Sequence, residues 1–352
     1  DSDEKPMSTQ SMKIPTTIIT GFLGAGKTTV IRHILENAGG KRFALIINEF
    51  GDLGIDKELI SSCGIEDCDE NSIMELTNGC ICCTVADDFL PTMEALIDLP
   101  EPPEHIIIET SGLALPKPLV RAFNWPEIRS RVTVDGVVTV VDAPAVIEGR
   151  FAESPDAVQL QREADEMLDH DSPLEEVFED QLLSADLILL NKTDLIDNVG
   201  ITEIRQEVSN AISSAVKMVT ASHGAIDPNV LLGIGATVED KIEKRRSHHD
   251  GEEEHDHDDF ESFVVKLGAV DPIDLENSIT TAVKEHDILR IKGFIHESNK
   301  DMRQVIQAVG PRLQRYYDRP WHANEKRCTE LVVIGMTGLD QKTIIGLLTP
   351  DT

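Results

Sequence analysis

The sequence predicts an α/β fold in which a mostly parallel sheet carries flanking helices and a smaller α+β domain follows. Apolar runs of strand length alternate with amphipathic stretches from Thr16 to about Leu232, as in parallel sheets with crossover helices. The runs are nearly continuous in Ile, Val and Leu, which is typical of strands buried on both faces. After Asp259 the pattern changes to that of a small α+β unit.

The first domain is assigned to residues 14–235. Its predicted strands are Thr16–Thr20, Phe43–Asn48, His105–Thr110, Val134–Val141, Leu187–Asn191 and Val216–Thr220. Its predicted helices run from Lys27 to about Asn37 and over Val85–Ile97, Leu174–Leu183 and Ile201–Ile212. Functional groups gather at the carboxyl ends of strands in such sheets, so the residues after each run are the first candidates for a site.

Residues 236–259 are interpreted as a disordered linker or loop, because Glu239–Asp259 is dominated by Glu, Asp, Lys, Arg and His and cannot build a core. Residues 260–352 form the second domain, which two βαβ-like units make ferredoxin-like by analogy. Its predicted strands are Phe260–Leu267, Ile288–Ile295, Leu313–Asp318 and Leu331–Ile334. Its predicted helices are Ile273–Lys284, Met302–Ala308 and Gln341–Leu348.

The charge balance excludes two classes of partner. Lys and Arg number 32 against 64 Asp and Glu, which gives a net charge of −32. Nucleic acids and anionic membranes bind clustered Lys and Arg, so neither is an expected partner. No window approaches the 18 or so apolar residues that span a bilayer, and the residues before Met7 lack the apolar core of a secretion signal. We therefore expect a cytoplasmic protein, with Met7 as a candidate natural start.

The stretch Gly21–Thr28, which reads GFLGAGKT, predicts a phosphate-binding loop. It follows an apolar run and opens an amphipathic helix, the context that this motif requires. The glycines let backbone N–H groups face phosphate oxygens, and the helix N-terminus adds positive potential. Lys27 is then the cation that reaches the outer phosphates, and Thr28 is the hydroxyl ligand of Mg²⁺.

The tetrapeptide Asn191–Asp194, which reads NKTD, ends a later strand and predicts the base. An aspartate at this place accepts two N–H hydrogen bonds from a guanine edge, whereas adenine offers no matching donor pair. GTP is therefore the expected nucleotide. The alternative is a polar turn in which Asp194 caps a helix. Thr220–His223 ends the next strand and is a weaker candidate for completing the base pocket.

Hydrolysis needs a partner for Mg²⁺ and a group that positions water. Two strand ends offer carboxylates, Glu49 within Asn48–Asp52 and Glu109 within Glu109–Gly112. The second segment occupies the place of a strand end that senses the γ-phosphate, where Gly112 is expected to donate its N–H. For each glutamate the alternative is an acid at the solvated end of a strand.

Three cysteines within four positions predict a soft-metal site. Cys80, Cys82 and Cys83 follow a turn-rich stretch and precede the helix expected from Val85, whose N-terminus favours thiolates. Thiolates select Zn²⁺, Co²⁺ or Cu⁺. Two of the cysteines with an outside carboxylate or imidazole bind one ion with less strain than all three, and Glu49 is the first outside candidate. Inert buried cysteines and a redox pair are the alternatives.

Three other cysteines and a histidine-rich tract are weaker metal candidates. Cys63 and Cys68 have the spacing of a ligand pair but are more simply incidental, and Cys328 is interpreted as a lone structural thiol. The tract His248–His257 offers flexible ligands to divalent metals without enforcing a geometry. A solvated spacer explains this tract equally well.

Together these motifs resemble the CobW family of P-loop GTPases. The resemblance rests on Gly21–Thr28, Asn48–Gly51, Cys80–Cys83, Glu109–Gly112, Asn191–Asp194, Leu289–Phe294 and Leu331–Gly335. It implies a P-loop NTPase fold and a GTP-hydrolysing metallochaperone or insertase that binds GTP, Mg²⁺ and a transition metal. The implied catalytic residues are Lys27, Glu49 and Glu109. The implied nucleotide contacts are Gly21, Gly24, Ala25, Gly26, Lys27, Thr28, Thr29, Gly112, Asn191, Lys192 and Asp194. The implied metal ligands are Cys80, Cys82, Cys83 and Glu49, with Thr28 for Mg²⁺.

Within the family, the long acidic segment Gly149–Asp180 resembles the branch tied to aerobic cobalamin synthesis. That resemblance implies Co²⁺ as the cargo and a cobaltochelatase as the client. Zinc-transferring relatives share the same motifs, so Zn²⁺ is the next candidate. Two rivals come from other classes: a nucleotide-dependent kinase or transferase with a structural zinc, and a metal-storage or sensing protein with GTP as a structural ligand.

Overall fold

The computed structural model describes residues 12–37, 39–48, 73–75, 81–84, 89–110, 112–113, 116–164, 173–233 and 260–349. The linker assigned to residues 236–259 lies outside these ranges. Two sheets organise the described chain, one with eight strands and one with five. The larger sheet falls within the predicted first domain and the smaller within the predicted second.

The eight-stranded sheet contains β1 (Ile14–Thr20), β2 (Phe43–Asn48), β3 (Ile73–Glu75), β4 (Ile81–Thr84), β5 (His105–Thr110), β6 (Val132–Asp142), β7 (Leu187–Asn191) and β8 (Lys217–Thr220). Their order is β3-β4-β2-β5-β1-β6-β7-β8. Every neighbouring pair is parallel except β3 with β4. The mostly parallel sheet confirms the predicted class. The sequence analysis missed β3 and β4, because each is too short to give a clear apolar run.

The helices around this sheet are α1 (Lys27–Glu36), α2 (Phe89–Ile97), α3 (Lys117–Ala122), α4 (Ala143–Ile147), α5 (Pro155–Ala164), α6 (Leu174–Leu183), α7 (Asn198–Ala211) and α8 (Pro228–Leu232). Neighbouring residues of β1 belong to hydrophobic cores on opposite faces of the sheet. Ile19 packs in the core formed with α1 and α8, and Ile18 packs in the core formed with α2. This two-sided burial explains the continuous apolar runs in the sequence. No helix in the described ranges is long and apolar enough to cross a membrane.

The five-stranded sheet contains β9 (Phe260–Leu267), β10 (Ile288–Ile295), β11 (Met302–Val309), β12 (Arg312–Pro320) and β13 (Thr329–Met336) in the order β12-β11-β10-β13-β9. All its neighbouring pairs are antiparallel. The helices α9 (Pro272–Glu285) and α10 (Gln341–Leu348) pack on one face. Because β13 lies between β9 and β10, the unit β9-α9-β10 is a split βαβ, and the α+β class is confirmed.

The helix predicted at Met302–Ala308 is wrong, because this stretch forms strand β11. Residues from Arg303 to Val309 are all buried, so the strand shows no polar alternation that would distinguish it from a helix. Its polar members are paired in the interior: Arg303 bonds to Asp318, and Gln304 donates to Glu297 at 2.7 Å. The second domain therefore contains one βαβ unit followed by a meander, rather than two such units.

Two ion pairs, one buried and one partly buried, join the second sheet to the first domain. The Arg290 guanidinium of β10 lies 2.9 Å from the Asp135 carboxylate, and its Nε donates to the Val230 carbonyl at 2.6 Å. Arg312 of β12 lies 2.6 Å from the Asp186 carboxylate, which also accepts the Val137 N–H at 2.8 Å. Burial raises the pKa of Asp186, although Arg312 opposes the rise. These directional bonds fix how the two domains meet.

Candidate nucleotide and metal site

The loop between β1 and α1 has a backbone that only glycine fits at three positions. Gly21, Gly24 and Gly26 have φ angles of 140°, 80° and 99°. A Cβ on Gly21 would lie 2.3 Å from the Val140 carbonyl oxygen, and one on Gly26 would lie 2.3 Å from the Asn191 amide nitrogen. The loop therefore has the tight, inward-turned backbone that a phosphate cradle needs, and α1 begins directly after it.

Lys27 is held against this loop. Its ammonium donates to the Gly21 carbonyl at 2.7 Å and to the Phe22 carbonyl at 3.3 Å, and the side chain is buried. Ala25 closes the turn by donating its N–H to the same Phe22 carbonyl at 3.1 Å. The positive charge is thus fixed where the loop would receive phosphate oxygens.

Thr28 and Glu109 meet at the carboxyl edge of the sheet. The Thr28 hydroxyl donates to the Glu109 carboxylate at 3.5 Å, and β5 places Glu109 opposite Ile19 of β1. A hydroxyl and a carboxylate are hard oxygen donors of the kind that Mg²⁺ prefers beside phosphates. The residues present therefore fit a Mg²⁺ site formed by Thr28 and Glu109.

Gly112 lies directly against the phosphate loop. A Cβ at this residue would lie 2.6 Å from the Leu23 amide nitrogen. Its carbonyl accepts a 2.7 Å hydrogen bond from the Gln181 side chain of α6, and the Gln181 carbonyl accepts the Thr139 hydroxyl at 3.2 Å. The sequence analysis missed Gln181. Its signal was a polar residue three positions after Phe178, on the face of α6 that is otherwise apolar and buried.

Asn191 joins the phosphate loop to the loop after β8. Its Nδ2 donates to the Ala25 carbonyl at 3.0 Å, and its Oδ1 accepts the Gly224 N–H at 3.1 Å. Gly224 in turn packs on the start of α1, where a Cβ would lie 2.9 Å from the Thr29 carbonyl carbon. Thr29 itself is exposed on the first turn of α1. A single side chain thus links the two loops predicted to hold phosphate and base.

Lys192 is held by two carboxylates that the sequence analysis did not name. Its ammonium lies 2.7 Å from the Asp142 carboxylate and 3.1 Å from that of Glu153. Burial opposes the charge, but these hydrogen bonds outweigh it and raise the pKa of Lys192 above its ordinary value. Glu153 also borders Gly24, because a Cβ on that glycine would lie 2.9 Å from its carboxylate. Lys192 is therefore charged and anchored beside the phosphate loop.

Asp194 lies in a short 3₁₀ turn, Thr193–Leu195, after β7. The alternative in which it caps a helix is wrong, because the cap of α7 is Asp197, whose carboxylate accepts the Gly200 N–H at 2.8 Å. The Asp194 carboxylate lies 3.5 Å from His223 Nε2. Strand pairing of β7 with β8 brings the Thr220–His223 segment beside NKTD, as a base pocket requires.

Cys82 and Cys83 lie in strand β4, opposite Leu45 and Ile46 of β2. They are therefore strand residues. The predicted helix is described from Phe89 to Ile97, and its expected start at Val85 lies outside the described residues. Cys80, Glu49, Cys63, Cys68 and the tract His248–His257 lie outside the described residues. Within those residues, no group of three or more His, Cys, Asp or Glu side chains is placed to hold a metal. Cys328 is a half-buried free thiol.

The order of strands places the cysteine strand and the phosphate loop in one sheet. β4 pairs with β2, β2 with β5, and β5 with β1, which leads into the loop at Gly21. At about 4.8 Å per step, β4 and β1 are separated by roughly 14 Å. The carboxyl end of β2 leads to Glu49, and that of β5 carries Glu109. The carboxyl ends of β2 and β5 therefore lie between the two candidate sites.

Family models match both domains. The model described as "CobW/HypB/UreG, nucleotide-binding domain" matches residues 15–220, and "Cobalamin synthesis protein cobW C-terminal domain" matches residues 260–349. The chain is 57% identical over 342 residues to the zinc chaperone CobW of Sinorhizobium sp, covering 96% of this chain and 97% of that protein. It is 52% identical to the zinc chaperone CobW of Pseudomonas aeruginosa, with coverage of 97% and 92%.

A more distant relative, the zinc chaperone YjiA of Escherichia coli, is 31% identical, with coverage of 92% of this chain and 94% of that protein. The similarity thus spans nucleotide loop, cysteine strand and second domain together. The resemblance on which the sequence analysis relied is confirmed. The chain belongs to the CobW/HypB/UreG family and is a P-loop GTPase that hydrolyses GTP to GDP and phosphate.

Proposed function

We propose that this GTPase is a metallochaperone that holds a transition metal ion in one nucleotide state and passes it to a client metalloprotein in the other. One observation carries the proposal: the cysteine strand β4 pairs with β2, which pairs with the strand that bears Glu109 beside Thr28. The proposed cargo ligands Cys82 and Cys83 and the proposed Mg²⁺ ligand Glu109 therefore belong to strands of one sheet. Two relatives that cover nearly the whole chain are named zinc chaperones, which supports the same function.

In this proposal the nucleotide is bound at the carboxyl edge of the sheet. Lys27 and the N–H groups of residues 21–29 bind its phosphates, and Asp194 reads the guanine edge beside Lys192. Thr28 and Glu109 hold Mg²⁺, which neutralises charge on the phosphates when it is bound. Gly112 donates its N–H toward the γ-phosphate, while Gln181 holds the Gly112 carbonyl at 2.7 Å.

Glu49 is the proposed link between the two sites. It follows the last residue of β2, so its position responds to the strand that lies between the cysteine strand and Glu109. With GTP bound, Glu49 completes a metal site with two thiolates of the cluster formed by Cys80, Cys82 and Cys83. Loss of the γ-phosphate withdraws this ligand, and the weakened site releases its ion to a client.

Zn²⁺ is the cargo that we propose first. Thiolate ligands suit both Zn²⁺ and Co²⁺, so the ligand type does not choose between them. Two relatives that cover nearly the whole chain are named zinc chaperones. This reverses the order that the resemblance of the acidic segment Gly149–Asp180 implies for the two metals. Co²⁺, with a cobaltochelatase as its client, is the second candidate.

The test removes the thiolates and measures metal and nucleotide binding separately. We expect Cys82→Ala combined with Cys83→Ala to weaken Zn²⁺ binding by at least about 100-fold with a non-hydrolysable GTP analogue bound, because two ligands are lost. Affinity for the GTP analogue should change less than threefold or so, since the phosphate loop is intact. Cys328→Ala is the matched control and should alter neither affinity.

Cobalt absorption identifies the ligands and the preferred metal. Co²⁺ bound by thiolates absorbs intensely, so titration with Co²⁺ and displacement by Zn²⁺ reports both. Unchanged Zn²⁺ affinity in the double variant contradicts the assignment of the site. Equal affinity with GTP analogue and GDP supports a storage or sensing protein instead. A phosphorylated small-molecule product, with turnover indifferent to metal, supports the kinase rival.

A further inference from the structure

A cavity lies between the two domains, remote from the nucleotide site. It has a volume of about 430 Å³ and lies at the amino ends of the parallel strands, where it is lined by Ile14 and His105. The second domain closes it with residues from three strands: Lys292, Gln307 and Tyr316. Because β1 is seven residues long, the phosphate loop at its other end lies about 20 Å away.

Three lysine side chains line this cavity, from both domains: Lys13, Lys41 and Lys292. Within the described part of the chain, none of their ammonium groups pairs with a carboxylate; Lys13 lies over the Tyr316 ring at 4.9 Å from its centroid. The chain as a whole carries 64 acidic and 32 basic residues, so a cluster of three lysines departs from its overall charge.

Two described carboxylates lie at or near the cavity, and one of them, Glu104, belongs to its lining. Asp135 is paired with Arg290 at 2.9 Å, and Glu104 accepts the Arg42 N–H at 2.9 Å. Arg131, which also lines the cavity, is paired with Asp98 at its exposed end. Glu104 is the one carboxylate among the described residues that line the cavity, against Lys13, Lys41, Lys292 and Arg131, so the lining carries a net positive charge.

Burial shifts the titration of two groups that line the cavity, and nearby charges of both signs modify the shift. Burial lowers the pKa of Lys292, and Arg290 and Lys41 lower it further, against the opposing effect of Asp135. Burial lowers the pKa of His105 to about 3, with Lys292, Arg290 and Lys41 contributing and Asp135 opposing. His105 is therefore neutral, and its Nε2 is 2.8 Å from the Thr17 hydroxyl. Recessed groups whose pKa is shifted by burial and by nearby charges are common at binding sites.

We propose that this cavity binds a small organic anion, with an apolar body and a carboxylate or phosphate group held by Lys41 and Lys292. The volume is within the usual range for small-molecule pockets and too small for a folded partner. The apolar walls include Pro15, Ile97, Pro103 and Leu232. Ammonium groups on flexible stems suit a compact anionic group that needs no planar fork.

The site also has a consequence for the fold. Lys41 belongs to the first domain and Lys292 to β10 of the second, so one anion contacts both. Lys292 follows Arg290, which binds Asp135, by two residues within the Leu289–Phe294 stretch that the sequence analysis singled out. A ligand bound in this cavity therefore stabilises the docked domains by mass action.

The test compares a charged and a neutral probe of the same shape. Anilinonaphthalene sulfonate carries an apolar body and one anionic group, and N-phenyl-1-naphthylamine is the same body without the charge. The full chain is saturated with GDP and Mg²⁺, so that the phosphate loop is occupied. We expect Lys292→Met and Lys41→Met each to weaken binding of the sulfonate by at least about tenfold, because a charged hydrogen bond is lost. Binding of the neutral probe should be unchanged.

Lys266→Met is the matched control, because Lys266 is exposed and paired with Glu330 at 3.4 Å. It should leave sulfonate binding within about twofold of the parent protein, as expected for an exposed pair. Unaltered GDP affinity and circular dichroism establish that Lys292→Met folds. Equal sulfonate affinity in the parent, Lys41→Met and Lys292→Met proteins overturns the proposal. Hexanoate and hexyl phosphate are then tested as competitors of the dye, and the stronger competitor identifies the anionic group. If neither displaces the dye, the proposal is also overturned.

Discussion

At the scale of single residues, buried polar side chains hold the nucleotide loops in place. Asn191 bonds to the Ala25 carbonyl and the Gly224 N–H, and Lys192 bonds to two carboxylates. The local sequence was sufficient to name Asn191 and Lys192, because both belong to a four-residue motif. It did not name Asp142 and Glu153, because their only signal is proximity in the folded chain.

Asn191→Ala tests the link between the loops. The change leaves the buried Ala25 carbonyl and Gly224 N–H without their partner, so we expect stability to fall by about 1–3 kcal/mol. We expect GDP affinity to fall by roughly tenfold or more, since two loops of the site lose their shared anchor. Isothermal titration and urea unfolding measure the two effects. Asn210→Ala, on the exposed face of α7, is the control and should change neither.

His105 predicts a dependence of stability on pH. Its pKa is depressed to about 3 by burial in the folded state, against about 6.5 in the unfolded chain. Between these two pKa values only the unfolded state binds the proton. The contribution of neutral His105 to stability is therefore fully present above about pH 6.5 and is lost as the pH falls. From pH 7 to pH 5 the expected loss is about 2 kcal/mol.

Urea unfolding at both pH values measures this loss as a difference between variants. His105→Gln keeps a hydrogen-bonding group beside Thr17 but cannot titrate, so its stability should fall by about 2 kcal/mol less than that of the parent protein between pH 7 and pH 5. His322→Gln removes an exposed histidine and should retain the parent's pH dependence. An equal pH dependence in parent and His105→Gln proteins contradicts neutral burial of this ring.

At the scale of elements, helix α6 supports the glycine that lies against the phosphate loop. Its length was predicted correctly from sequence, because apolar residues at helical spacing and a preceding proline mark it clearly. The contact of this helix with Gly112 was not predicted, since nothing in the local pattern relates Gln181 to Gly112. For β11 the element itself was predicted wrongly, because its local pattern is ambiguous. Pairing with β10 and β12 determines that this stretch is a strand.

Gln181→Met tests this support. The variant keeps the volume of the side chain but removes the donor to the Gly112 carbonyl at 2.7 Å. We expect the rate of GTP hydrolysis to fall by roughly tenfold, because Gly112 is less firmly positioned for the γ-phosphate. GDP affinity should change little, as GDP lacks that phosphate. Single-turnover hydrolysis measures the rate, and Gln206→Met on exposed α7 is the control. Equal losses of rate and GDP affinity would indicate a general loss of structure instead.

At the scale of the whole molecule, one buried and one partly buried ion pair dock the domains. Arg290 and Arg312 from the second sheet meet Asp135 and Asp186 of the first domain. Gly310 allows this close approach, since a Cβ there would lie 2.3 Å from the Asp186 carbonyl oxygen. The domains therefore form one packed body, in which the cavity near Lys292 lies at the junction.

Arg290→Ala tests the docking. Removal of the guanidinium leaves the Asp135 carboxylate buried and unpaired, so we expect a loss of about 3–5 kcal/mol in the free energy of unfolding. Arg327→Ala removes an exposed pair with Asp301 and should cost less than about 1 kcal/mol. Urea unfolding followed by tryptophan fluorescence and by circular dichroism measures both. Similar losses in the two variants contradict a structural role for the buried pair.

The sequence by itself determined the fold class, most element boundaries and the nucleotide motifs. These features depend on local spacing: glycines that turn a loop, apolar runs of strand length and a tetrapeptide at the end of a strand. It also fixed the family, because several such motifs occur together along the chain. Its limits were short strands such as β4, the two-sided burial of β11, and four helices that it did not predict, α3, α4, α5 and α8.

The tertiary structure decided which residues act together. It placed the cysteine strand beside β2, Gln181 against Gly112, and Asp142 with Glu153 around Lys192. It also created the lysine-lined cavity from residues of both domains. Each of these contacts joins positions far apart in the chain. Their energies arise from burial and hydrogen-bond geometry across the fold, which no local pattern of residues encodes.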